Sequence, residues 1–176
     1  MTESLADVVR RFLDDLTPTV EAVGGKPADV ALDAFELTAA FVDADGLHTD
    51  NELLALIGVF GPLLESQLGR ATPGDVRAAG LVTGKRAKLE RPSPLFDVLL
   101  AADRRTKTAT AWTYYELAMA MGHEIAALDT HVSHLELAAL ESYRTALLNA
   151  LRDVPRAAAP PATTPPAATA APARTL

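Results

Sequence analysis

Asp45-Gly46-Leu47-His48-Thr49-Asp50-Asn51-Glu52-Leu53 and, 84 residues later, Asp129-Thr130-His131-Val132-Ser133-His134-Leu135-Glu136-Leu137 share one pattern, Asp-x-x-x-[Ser/Thr]-x-x-Glu-Leu. In both stretches a hydroxyl residue stands three positions before a glutamate at the head of an apolar run. That is the spacing of a capping box, in which the hydroxyl and the carboxylate satisfy the first free amides of a helix. An apolar helical pattern also precedes each aspartate, so the chain reads as two helix-turn-helix halves. Two copies are too few for a solenoid and suit a pseudo-symmetric bundle in which each half buries the other's apolar face.

Working outward, Leu5, Val8, Val9, Phe12, Leu13 and Leu16 form the stripe of an amphipathic helix that closes at or near Pro18. A second helix is predicted from about Pro27, a favourable first-turn proline, to Asp43, with Gly46 marking the turn. A third follows the Thr49/Glu52 box to about Leu68. Thr72-Pro73 and Ser93-Pro94 each place a hydroxyl cap before a first-turn proline and predict two short helices, with a basic loop at 80–92 between them. A longer helix from about Lys107 to Ala127 and a last one from the Ser133/Glu136 box to Leu151 complete the series. No alternating strand pattern occurs. The fold class is therefore all-α, a pseudo-duplicated helical bundle of about seven helices over residues 1–153. Residues 154–176 read as a disordered linker or tail, because Pro155 to Leu176 holds 6 Pro, 9 Ala and no acid and has too little apolar surface to offset its ordering entropy.

Composition agrees with helices: 49% hydrophobic, 22% charged and only 5% aromatic residues among 176. The absence of cysteine excludes disulfides, thiolate zinc sites and a cysteine nucleophile. Met1-Thr2-Glu3-Ser4 carries acid where a secretory signal carries base, and no apolar run approaches the roughly 20 residues of a membrane span, so a cytoplasmic location is expected. The net charge of -7 is segregated: residues 1–65 hold 13 acids and 3 bases, 66–110 hold 4 acids and 9 bases, and 111–153 hold 6 acids and 2 bases. The central bases, Lys85, Arg86, Lys88, Arg91, Arg104, Arg105 and Lys107, read either as a patch for an acidic partner or as a solvated face balancing acidic neighbours. Without interleaved aromatics, and in an acidic domain, they do not point to nucleic acid.

The repeated acids admit two readings: helix caps, or a divalent-cation site drawing on Asp43, Asp45 and Glu52 in the first copy and Asp129 and Glu136 in the second. With Gly46 at the glycine position of an EF-hand loop, Asp43, Asp45 and Glu52 fall on the third, fifth and twelfth positions, but Phe41 occupies the first. In the second copy Ile125 and Ala127 stand at the first and third positions and Thr130 replaces the glycine. Neither copy is an EF-hand.

The Asp-Gly-x-x-[Ser/Thr]-x-x-Glu pattern between apolar helices, Asp45 to Glu52, with its similar second copy (His123, Asp129, Ser133, Glu136), resembles the TerB-like domains associated with tellurite resistance and found in co-chaperones and larger proteins. The resemblance covers about residues 30–150. It implies a pseudo-duplicated helical fold and a role in stress-response or membrane-associated complexes. It further implies a divalent metal (calcium, magnesium, manganese or zinc) held by acids matching Asp45, Glu52, Asp129 and Glu136. Thr130 in place of the second glycine and the longer basic loop depart from the pattern.

Other constellations fail on spacing. Gly80 to Arg86 has three residues between its glycines, not the four of a phosphate loop, and Arg86 in place of the hydroxyl that would meet magnesium. His123-Glu124 lacks the second histidine at 127, which is Ala, so no zinc-protease helix forms, and His131 and His134 read as surface residues. Trp112, Tyr114 and Tyr115 read as core and rim. The expected function is a non-enzymatic interaction or adaptor module with protein partners. One alternative is a regulatory domain tethered by the tail to an AAA-type ATPase or secretion component. Another is a metal-assisted hydrolase using the same carboxylates.

Overall fold

A computed structural model describes residues 4–128 and 133–154. Eight α-helices occur there: α1 (Leu5–Ala22), α2 (Pro27–Val42), α3 (Asp50–Phe60), α4 (Glu65–Leu68), α5 (Pro73–Ala78), α6 (Pro94–Thr106), α7 (Thr110–Ala126) and α8 (His134–Leu151). A 3-10 turn, Lys85–Glu90, lies between α5 and α6. The all-α class is as expected, and no strand occurs among the described residues. The eighth helix arises because the predicted third one breaks. Pro62 has no amide to continue the ladder of α3, which ends at Phe60, and one-turn α4 follows.

Two further boundaries depart from expectation. α1 does not stop at Pro18 but runs four residues past it, because Leu16 and Val20 are both buried and hold the last turn against the core. α7 begins at Thr110 rather than Lys107, since Lys107 sits at φ 61 and ends α6. The new helix is capped from outside its own segment. Buried Asp103, on α6, accepts the Thr110 amide (2.9 Å) and the Thr108 hydroxyl (2.6 Å) on Oδ1 and the Ala111 amide (2.7 Å) on Oδ2.

α1 packs along α7 and α2, and α7 also packs on α8 and α6. At Gly122 of α7 the approach is so close that an added Cβ would lie 2.6 Å from Leu140 Cδ1 and 2.9 Å from Phe41 Cζ. Phe12 and Phe96 pack against Tyr114 at the centre in tilted and edge-to-face arrangements, with ring centroids 5.1 and 5.2 Å from that of Tyr114. Val154, assigned by composition to the tail, instead belongs to the packed body: it is buried and its carbonyl accepts the Trp112 indole N–H at 3.0 Å. Residues 155–176, the expected tail, lie outside the described residues. Among the described residues no helix is long and apolar enough to cross a membrane.

Candidate functional site

The acidic turns are placed first. Both capping boxes form: Thr49 accepts the Glu52 amide while Glu52 Oε2 accepts the Thr49 amide at 2.8 Å, and Glu136 Oε2 accepts the Ser133 amide at 2.6 Å. Glu52 and Glu136 are buried in these roles. Asp45 Oδ1 accepts the Leu47 amide at 2.8 Å within its own turn. Asp43 is buried and bridges three segments: Oδ1 meets His48 Nε2 at 2.7 Å and Oδ2 accepts the Arg86 amide at 2.9 Å. Each carboxylate thus faces a different donor of the chain. Among the described residues no three His, Asp or Glu side chains gather where they could hold a metal ion. Asp129 and His131 lie outside the described residues, while His123 and His134 are exposed.

The 80–92 segment, expected as a loop, winds in part into the 3-10 turn and is anchored onto α2. Lys85 and Lys88 both reach Glu36 at 2.9 Å, and Leu89 is buried. For these two bases the balancing of acidic neighbours is the reading that fits. Burial raises the Glu36 carboxyl, but the hydrogen bonds and charges of Lys85 and Lys88 outweigh it and hold it below its ordinary value.

That anchoring leaves a cleft of about 700 Å³ between the end of α1, one face of α2, the 3-10 turn and the start of α6. On α2 the facing residues are Asp29, Leu32, Asp33, Glu36 and Leu37, a helical stripe at i, i+3, i+4, i+7 and i+8. The α1–α2 corner is tight: Gly24 takes φ 89, and a Cβ on Gly25 would lie 2.5 Å from Val20 Cγ1. Val20 lines the cleft at this corner. Leu37 and Leu95 extend the apolar lining, and Leu32 (53% exposed) and Val98 (42%) stand at the mouth.

The floor is polar. Ser93, which caps α6 by accepting the Phe96 amide, lies 3.0 Å from the Tyr114 hydroxyl. Tyr114 donates to Asp33 Oδ2 at 2.8 Å, and the Tyr143 hydroxyl lies 3.1 Å from that of Tyr114. Three hydroxyls, from the cap of α6, from α7 and from α8, so converge beside one carboxyl from α2. Burial pushes the Asp33 carboxyl up, an effect only partly offset by bonds from Tyr114 and Ser93 and by the charge of Lys88. Burial likewise drives the Tyr114 phenol well above 10, helped by Tyr143 and Asp33, and also raises Tyr143.

None of Asp33, Ser93, Tyr114 or Tyr143 stood out as a site residue in the sequence. Asp33 lies within an apolar helix, Ser93 reads as a cap and Tyr114 as core. The available signal was the trio Asp29, Asp33 and Glu36 on one face of an otherwise apolar segment, where solvated charges would not be expected to gather without partners. No protein-family model, curated protein or solved structure matches the chain.

Proposed function

We propose that the chain is a non-enzymatic binding module whose ligand-receiving surface is the cleft over Asp33. The carrying observation is the cleft itself. Its volume of about 700 Å³ falls within the range of roughly 300–1,000 Å³ usual for ligand sites, and it pairs apolar walls with a few convergent polar groups. A binding role fits the floor better than a catalytic one. Tyr114 and Tyr143 hold their protons far above neutral pH and act as donors, not bases. Ser93 is engaged as a helix cap, and among the described residues no histidine lines the cleft to activate it. The adaptor role drawn from the TerB-like resemblance belongs to the same proposal, as does attachment through residues 155–176 to a further domain or a partner ATPase.

Amide chemical-shift mapping with a fragment set of mixed polarity tests this reading. Perturbations are expected to cluster in residues 20–37 and 87–98. Clustering around 43–52 on addition of a divalent ion, with the cleft silent, would transfer the site to the acidic turn. Because the carboxylates of that turn already accept donors of the chain, melting temperatures with and without millimolar calcium, magnesium, manganese or zinc are expected to coincide. An ion present at 100 times its dissociation constant would add about 2.7 kcal/mol.

A further inference from the structure

The charge inventory of the cleft is uneven. Lys85 and Lys88 are both committed to Glu36, and the Asp29 carboxylate accepts the Lys26 amide at 2.8 Å at the head of α2. Arg91 lines the cleft but is exposed, so solvent screens it. Asp33 is different. It is half-buried on the polar floor, and although the charge of Lys88 acts on it, its hydrogen-bond partners among the described residues are hydroxyls. A carboxylate partly shielded from bulk water gains from a cation brought to it, because the attraction is less screened there than at an open surface. An anion entering the same cleft would place like charge beside Asp33, and a wholly apolar guest would take water from the carboxylate while adding no partner for its charge beyond the hydroxyls already there.

We propose that the cleft takes a small amphipathic organic cation, its ammonium on the Asp33 carboxylate and its apolar body along Val20, Leu37 and Leu95. This assignment rests on the reading of the cleft as the receptor. Tyr114, held in place by Phe12 and Phe96, keeps Asp33 oriented so that the cation meets a fixed acceptor. The exposed side chains of Leu32 and Val98 flank the entry and cover the body of the guest.

The test is a titration of the full-length, nitrogen-15-labelled chain at neutral pH with three probes of equal length: hexylamine, hexanol and hexanoate. Hexylamine is expected to shift the amides of 20–25, 32–37 and 93–98 at the lowest concentration. Asp33→Asn is expected to weaken it by about tenfold or more, the worth of one charge-assisted hydrogen bond, and to leave hexanol unchanged. Should Asp33→Asn fail to fold, Leu32→Lys at the exposed mouth sets a competing ammonium there. It is expected to weaken hexylamine several-fold and to strengthen hexanoate. Hexanol or hexanoate binding the cleft as tightly as hexylamine overturns the cation assignment and leaves the receptor reading standing. Cleft amides unmoved by all three probes at millimolar concentration overturn both.

Discussion

Asp33 and Glu36 lie one turn apart on α2, and burial raises both carboxyls, but the bonds and charges of Lys85 and Lys88 turn the net shift at Glu36 downward. The folded chain raises the Asp33 carboxyl above its ordinary 3.8, so the native state keeps that proton to higher pH than the unfolded chain does. Its contribution to stability therefore falls as pH rises from 3.8 through the raised value. Glu36 is held below its ordinary 4.5, so its contribution is present above 4.5 and is lost as pH falls through the lowered value. In urea melts between about pH 3 and pH 7, Asp33→Asn should thus gain on the parent as pH rises, and Glu36→Gln should gain as pH falls. Identical pH slopes for variant and parent would show that neither shift exists. Asp103 carries a separate expectation. Its carboxylate accepts two amides and a hydroxyl where α6 meets α7, and Asp103→Ala removes their acceptor and strands the buried Ala111 amide, at a cost of about 2 kcal/mol in a denaturant melt.

At the scale of helices, starts were far more legible than ends. Thr49/Glu52, Thr72-Pro73, Ser93-Pro94 and Ser133/Glu136 each announce a helix through contacts within three residues, and each helix begins there. Ends depend on what lies across the bundle. Pro18 did not stop α1 because Val20 is buried beyond it, whereas Pro62, with Gly61 before it, did end α3. The start of α7 is set by Asp103, seven and eight residues away, a distance no capping motif spans. The cleft was illegible for the same reason. Its floor joins Asp33 to Tyr114 over 81 positions and Tyr114 to Tyr143 over 29, and only tertiary packing brings them together. The close crossing at Gly122 yields an expectation of its own. Gly122→Val would drive methyl groups into Phe41 and Leu140 and should destabilise the fold by about 1–3 kcal/mol or more, read by thermal melting. Ordinary stability in that variant would mean that α2, α7 and α8 are not so tightly apposed.

Over the whole molecule, the paired-turn pattern is legible as architecture: α2 leads to capped α3 and α7 to capped α8. The chemistry placed on those turns is a different matter, because a carboxylate that caps a helix and one that binds an ion share the same spacing in sequence and differ only in which donors reach them. The far end of the described fold offers one practical handle. Trp112 is the chain's single tryptophan, and its indole N–H is tied to the carbonyl of Val154. The natural fluorophore is therefore a built-in sensor for whether the exit of the domain is fastened. Emission should move to longer wavelength when a truncation after Leu151 removes that tether, well before global unfolding. Any cargo attached downstream that tugs on this junction would register in the same optical signal, with no dye or label needed.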